Sequence, residues 1–333
     1  MNDINIDNIK VSLRLDEVIN NAVNEGYKNV NNKNSILKKL AITVVIVGSI
    51  GITLSGTSFG ERVLANIGLE AFDIGNYIGV NKNLKDYTTV VDSSVTKNGI
   101  TVQLNEVILD RDELIVSTTT KIDTAIESNE SLLVFGDVYI NGKKISEGAE
   151  GSKEQIDQYT MESILKYNLK DDLPNGELDI KIKYREALLS RENSNSEEIK
   201  GPWEFEFKAS GDTLVAKTTN IKLNNSFKLD NGQKVILNEY RSNDVGTKIY
   251  YDMKDKDEAY DIILRGYDDL GNEVSFYSSY EGKNDGVMKN ESEISAYASK
   301  LVLTPYAVAY SEKSGKINDN YHQVGEEFTI EIK

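Results

Sequence analysis

Residues Leu40 to Gly60 run for 21 positions without a charged side chain, and a helix needs about 20 predominantly apolar residues to cross a bilayer. The apolar heart, Leu40 to Leu54, has no polar stripe of the kind a surface helix of a soluble domain turns to water. One transmembrane helix is therefore expected over residues 40–60, with a buried core helix as the competing assignment. Lys28, Lys33, Lys38 and Lys39 crowd the N-terminal edge of this stretch, while Glu61 and Arg62 cancel on the other side. Basic flanks stay cytoplasmic, so the N-terminus is expected inside the cell membrane and the chain beyond Gly60 outside it. Val63-Leu64-Ala65 has the small-residue character of a signal-peptide cleavage site, but the 39 residues ahead of the apolar run make a leader too long for that class.

Charge divides unevenly about this stretch. Residues 1–39 carry six basic and five acidic side chains and residues 40–60 none, so the net −16 of the chain leaves −17 on the part beyond Gly60. An acidic surface repels nucleic acid and anionic lipid; nucleic acid is not expected as a partner, and the charge reads as a solubility feature. Cysteine is absent, which removes disulfides, thiolate metal sites, thiol nucleophiles and a lipid-attachment cysteine. The outer part must then fold by core burial alone, which is feasible for domains above about 100 residues. A cysteine-free extracellular chain also fits a bacterial surface better than an animal secretory pathway. At 333 residues there is room for two or three domains.

Within the inner segment, residues 1–39, Leu15, Val18, Ile19, Ala22 and Val23 recur at intervals of three and four, the spacing of an amphipathic helix over about Ser12 to Tyr27. A polar linker, Asn29 to Ser35, follows. One helix this short is marginal in water, and its apolar stripe needs a cover. The inner leaflet is one option, but Lys10, Arg14 and Lys28 are offset by Asp16, Glu17 and Glu25, which weakens attraction to lipid. A cytoplasmic protein that takes the helix into a groove is preferred, and those five apolar residues are the candidate partner-binding site.

Beyond the span, residues 61–86 mix apolar side chains (Val63, Leu64, Ile67, Leu69, Phe72, Ile74, Ile78) with glycines and are expected to form a juxtamembrane stalk of short helical pieces. From Tyr87 the pattern is that of strands. Alternating runs are separated by the turn dipeptides Asn98-Gly99, Asn141-Gly142, Asn175-Gly176, Asn231-Gly232 and Gly271-Asn272. Ile156 to Asn168 is the one stretch of the first half expected to be a helix or an irregular crossing.

An internal repeat sets the domain count. Asn98-Gly-Ile-Thr-Val102-Gln-Leu104-Asn105-Glu106 returns 133 residues later as Asn231-Gly-Gln-Lys-Val235-Ile-Leu237-Asn238-Glu239, with six identities in nine. At the same offset Val116 falls on Ile249, and Trp203-Glu-Phe205-Glu-Phe207-Lys208 resembles the terminal Phe328-Thr-Ile330-Glu-Ile332-Lys333. Two tandem β-sandwiches of about seven strands each are expected, over residues 87–210 and 211–333. Val102 and Leu104 share one phase of alternation and Val107 and Leu109 the other, so a bulge or strand break is expected near Asn105. Trp203, Phe205 and Phe207 are expected in the core, with Trp203 packing rather than forming a ligand platform.

Chemistry is sparse. The single histidine, His322, lies in the turn-like stretch Asn318-Asp-Asn-Tyr-His-Gln, so neither a His-based triad nor a multi-His metal site is expected, and no glycine-rich loop has phosphate-binding spacing. The chain is expected not to be an enzyme and to need no cofactor or metal. Acidic clusters at Asp110-Arg-Asp112-Glu113, Asp252 to Asp261 and Asp268-Asp269 supply oxygen atoms suited to calcium, without the spacing of a dedicated calcium loop; solvated hairpin tips are the preferred reading.

Three stretches resemble a known family: Ile9-Lys-Val-Ser-Leu-Arg-Leu-Asp16, the run from Tyr87-Thr-Thr-Val-Val through Asn98 to Leu109, and Gly201-Pro-Trp-Glu-Phe-Glu-Phe207. They are similar to single-span envelope proteins of Gram-positive bacteria with domains of unknown function, often described as anti-sigma factors. Ser12 stands where relatives tend to have proline, and the zinc-binding motif of one anti-sigma class is missing. The resemblance implies a mainly β chain in which a short cytoplasmic helix and one transmembrane helix precede two tandem immunoglobulin-like sandwiches. It also implies a cytoplasmic segment that holds a sigma factor and an outer part that senses the envelope. The alternative is a cell-surface binding or adhesion module with no transcriptional role. Thr43, Gly48, Ser49, Gly51 and Thr53 lower helix propensity within the span, which would let a membrane protease cut it; Gly51 with Ser55 forming a close-packed helix pair is the competing use.

Overall fold

Asn98-Gly99 and Asn141-Gly142 hold positive φ at both residues, 51° with 78° and 49° with 81°, the backbone that a two-residue type I′ hairpin demands and that asparagine and glycine adopt at least cost. The first turn joins β1 (Thr88–Lys97) to β2 (Ile100–Leu109), and the second joins β4 (Ser131–Ile140) to β5 (Lys143–Lys144). The other three turn dipeptides also fall between strands. The computed structural model describes residues 74–77 and 84–333, apart from 129, 171–172, 192–195, 255–259, 283, 291–293 and 311–319. The expected helix over Ser12 to Tyr27, its candidate residues and the apolar run Leu40–Gly60 lie outside the described residues. Among those described, no helix is long and apolar enough to cross a membrane.

The described chain is mainly antiparallel β. A short helix α1 (Ile74–Tyr77) and a 3-10 turn (Leu84–Asp86) precede the strands. The first half continues with β3 (Glu113–Ile122), β6 (Ser146–Asp157), β7 (Thr160–Leu169), β8 (Leu178–Ser190) and β9 (Glu197–Ala209). Its strands form two sheets, β1-β2-β3-β7-β6 and β5-β4-β8-β9. Val102, Val116 and Leu165 from one sheet and Val138, Ile182 and Phe205 from the other share a single core, so the sheets pack face to face.

Helix α2 (Asp212–Ala216) leads into the second half. Its strands are β10 (Thr219–Lys222), β11 (Ser226–Lys228), β12 (Lys234–Asn243), β13 (Gly246–Lys254), β14 (Tyr260–Asp268), β15 (Glu273–Glu281), β16 (Asp285–Asn290), β17 (Lys300–Ala309), β18 (His322–Gln323) and β19 (Phe328–Glu331). They make one sheet in the order β10-β12-β13-β16-β15-β14-β17-β18, with β11 also on β12 and β19 also on β17. Val235 and Leu237 near one end of this sheet share a core with Leu301 and Leu303 near the other, so the sheet folds back on itself.

The repeat is real at the level of register. In β2 the pairing with β3 slips between Leu104 and Glu106, and in β12 the pairing with β13 slips between Leu237 and Glu239. Each slip is a bulge at the repeated asparagine, Asn105 or Asn238, as expected near the first. The bulge resets the alternation, so Val107 and Leu109 join Val102 and Leu104 in one core. Val107 then faces Val116 across the ladder, and Tyr240 faces Ile249 at the same offset.

Two expectations need correction or refinement. Ile156 to Asn168 is neither helix nor crossing: Thr160–Leu169 is β7. Its apolar residues fall at helix-like intervals because both faces of this strand are covered, Met161, Leu165 and Tyr167 by the main core and Ile164 by a separate cluster. Trp203 and Phe205 are buried, whereas Phe207 is half-buried. Trp203 is a packing residue whose indole nitrogen donates to the carbonyl of Ile100 at 3.1 Å.

Candidate functional site at the seam

A third apolar cluster lies away from both main cores. Ile108, Ile115 and Ile164 form its base on the outer face of β2, β3 and β7, and Ile74, Leu84 and Tyr87 from the segment ahead of β1 pack with them, together with Leu214 of α2 and Val245 from the β12–β13 turn. Ile74 is 1% exposed and Leu84 4%, so the described part of the expected stalk is docked on the β domain rather than standing apart from it. Polar groups fix this docking. The Tyr87 hydroxyl donates to Asp244 of the second half, the Lys217 ammonium lies 4.9 Å from the Tyr87 ring centre, and the Ile74 amide donates to Glu106 at 3.3 Å.

Beside this cluster the halves meet through buried charge. The β2–β3 turn presents Asp110 and Asp112, and the first residue of β3 is Glu113; the outer face of β13 and β16 presents Lys248 and Lys289, register partners on adjacent strands. Two ammonium groups directly opposite one another repel, and carboxylates offset the repulsion. Glu113 lies 3.6 Å from Lys248 and 2.6 Å from Lys289, Lys248 donates to Asp112 at 3.0 Å, and Lys289 reaches Glu150 of β6 at 2.5 Å. Tyr250 donates to Asp112 at 2.6 Å, Asn243 donates to Asp110 at 3.0 Å, and Arg241 stacks 4.5 Å from the Tyr250 ring centre. At the rim, Ser279 and Tyr280 of β15 donate to Glu150 and Glu147 of β6.

Burial alone would push the Glu113 carboxyl up, but Lys248 and Lys289 outweigh it and hold the group down to about 2. Asp112 is lowered in the same way: burial raises it, and Lys248 reverses the sign. Lys248 is raised well above its ordinary value because Asp112 and Glu113 outweigh the cost of its burial. All these groups are charged near neutral pH. Removing one member of such a set leaves a buried partner uncompensated, so the seam resists piecemeal change.

This arrangement also answers the calcium reading of Asp110, Asp112 and Glu113. Their oxygens accept from, or pair with, ammonium, amide and phenol groups of the second half. Asp268 accepts from Asn272 and Leu270, and Asp269 from Ser299, so this third cluster shapes turns; residues 255–259 of the remaining cluster lie outside the described residues. Sequence reasoning singled out Asp110, Asp112 and Glu113 but preferred solvated hairpin tips for them, whereas Asp110 and Glu113 are buried; it missed Glu150, Lys248, Tyr250 and Lys289. A signal was present: Lys248 occupies the repeat position of Ile115, whose side chain is buried on the outer face of β3.

The fold is thus mainly antiparallel β with a duplicated strand order. Two family models match parts of the chain: residues 32–122 match a domain of unknown function (DUF4179), and residues 218–332 a family of unknown function (DUF5643). The first match covers the apolar run and ends with β3; the second spans β10 to β19. No curated protein matches the chain. Among solved structures, the crystal structure of the conserved domain protein from Bacillus anthracis is similar, with a TM-score of 0.57 and 17% identity, over 76% of this chain and 94% of its own. At that identity the likeness is one of fold.

Proposed function

We propose that the chain is a single-pass membrane regulator of the anti-sigma-factor type, with residues 1–39 in the cytoplasm, residues 40–60 in the membrane and the β halves outside as a sensor. The observation that carries this reading is the docking of Ile74, Leu84 and Tyr87, which follow the apolar run, onto a surface to which both halves contribute. A change in the outer part would thereby reach the segment that enters the membrane. The match to DUF4179, which includes the apolar run, is consistent with it. An immunoglobulin-like fold for the first half is supported by strand order: β2-β3-β7-β6 in one sheet and β4-β8-β9 in the other follow the constant-type arrangement. The protein acts by binding, without catalysis, metal or cofactor. Its partners are a sigma factor held by the Leu15, Val18, Ile19, Ala22 and Val23 stripe and a membrane protease that cuts after the docked segment is released.

Capture with the full chain from a bacterial detergent extract tests this function. The parent should retain a sigma subunit, and Leu15→Asp with Ile19→Asp should lose it while inserting normally. Equal retention by parent and variant, or none by the parent, would sink the assignment and leave the surface binding module as the better reading.

A further inference from the structure

The halves differ most on one outer face. On β8 the outward residues Lys181, Lys183 and Arg185 meet carboxylates: Lys181 and Lys183 lie 2.9 and 2.7 Å from Glu204, and Arg185 lies 2.6 Å from Asp137. That face is a hydrated lattice of exposed ion pairs. Strands β14 and β17 hold the places of β4 and β8 in the second half, and their outward face carries Tyr267 and Tyr306 beside the apolar Ile263 and Val302. Ile263 is the register partner of Tyr277 on β15 and of Tyr306 on β17, which puts the three in one row across three strands. Ile263 is 1% exposed although it points away from the core, while Tyr277 is 40% exposed and Tyr267, further along the same face, 54%. The Arg265 guanidinium lies 5.8 Å from the Tyr306 ring centre and 5.4 Å from that of Tyr321, and the Tyr321 hydroxyl donates to Asp261. Asp261 and Arg265 are thus engaged within the patch, and the exposed Glu273, register partner of Tyr267, lies at its end.

We propose that this face of β15, β14 and β17 binds a neutral oligosaccharide, with sugar rings stacked on Tyr277 and Tyr306 and sugar hydroxyls bonded to the phenolic oxygens around them. With strands about 4.8 Å apart, the row from Tyr277 to Tyr306 spans about 10 Å, and Ile263 to Tyr267 spans about 13 Å along the strand, a footprint for a few linked sugars. A tyrosine ring offers an apolar body and a polar tip, which matches the C–H face and hydroxyl rim of a sugar. An anionic polymer is disfavoured by the −17 carried beyond residue 60. An extended peptide has no edge to add to, because β14, β15 and β17 are each paired on both sides. The inference holds whether or not residues 1–39 bind a sigma factor.

The test is calorimetric titration of the full chain with a soluble β-1,4-linked N-acetylglucosamine hexamer and, separately, with a linear glucose hexamer. The parent should bind at least one of them. Tyr277→Ala with Tyr306→Ala should weaken that binding by about tenfold or more, the loss expected when stacked rings are removed. Tyr159→Ala, at an exposed tyrosine of the first half, should bind like the parent. If the double variant melts early, Tyr277→Ser alone, at the more exposed ring, replaces it with the same expectation. Binding of neither sugar, or equal binding by the variant, overturns the proposal. So does a parent dimer that the variant dissociates, since the face would then belong to a second copy.

Discussion

Strands β6 and β15 hold the same place in the two halves and end differently. In the first half β6 pairs only with β7 and is a sheet edge; in the second, β15 pairs with β16 on one side and β14 on the other and joins what would have been two sheets. Side chains explain the difference. From Ser146 to Asp157, β6 reads Ser-Glu-Gly-Ala-Glu-Gly-Ser-Lys-Glu-Gln-Ile-Asp and is exposed along most of its length, so nothing draws it over the core, and its charges discourage pairing with another chain. β15 buries Val274 and Phe276 in the second core, which anchors it where β14 can reach it. One strand order can therefore close or stay open according to whether a single strand brings apolar side chains. The open edge is not idle: Glu147 and Glu150 of β6 receive Tyr280, Ser279 and Lys289 from the second half.

The seam makes the largest prediction. Lys248→Ala leaves Asp112 and Glu113 buried without their shared ammonium and should cost about 3–5 kcal/mol, read from denaturant unfolding of the full chain. A loss under 1 kcal/mol would show that the halves do not depend on this contact. Next comes acid. The Glu113 carboxyl sits at about 2 in the folded protein against an ordinary 4.5; because the folded value is lowered, its contribution is complete above pH 4.5 and is lost as pH falls from 4.5 through about 2. Roughly 2–3 kcal/mol should disappear over that window, and Glu113→Gln should flatten it. An unchanged acid profile in that variant would assign the loss to other carboxylates.

The smallest prediction sharpens the contrast between open and closed sheets. A β-carbon on Gly151 of β6 would sit 1.9 Å from the Ile164 carbonyl oxygen, and one on Gly266 of β14 would sit 1.8 Å from that of Val302. The clash is the same, but β6 can peel away at a free edge whereas β14 is held on both sides. Gly266→Ala should cost about 1–3 kcal/mol, the range for overpacking, and Gly151→Ala distinctly less. Equal losses in thermal melts would mean that the edge is as constrained as the centre.

Much of the fold was legible in residues. Asparagine–glycine turns marked the hairpins, and the change of alternation phase marked the bulge near Asn105, because both are local rules of backbone conformation; the matching bulge at Asn238 follows from the repeat and was not anticipated. Short helical pieces were expected over residues 61–86, and the described ones, Ile74–Tyr77 and Leu84–Asp86, are such pieces; that Ile74 and Leu84 are buried against the β halves was not legible, since an apolar residue does not name its partner. Lys248 was missed although the repeat aligns it with Ile115; the repeat marks a position on the outer face, and only the tertiary structure shows that face covered by Asp112 and Glu113. The helix or irregular crossing expected over residues 156–168 gave way to β7 because a strand buried on both sides loses the period of two.

The central claim is that the segment following the apolar run is held by both halves together. Hydrogen exchange of the full chain tests it through the Tyr87 amide, which donates to the Leu84 carbonyl at 2.9 Å, in the parent and in Val245→Asp, which puts a charge into the shared cluster from the side of the second half. The account predicts that residues 84–87 exchange faster by at least about tenfold in the variant while β8 and β9 keep their protection. Exchange at the parental rate in residues 84–87 would contradict it.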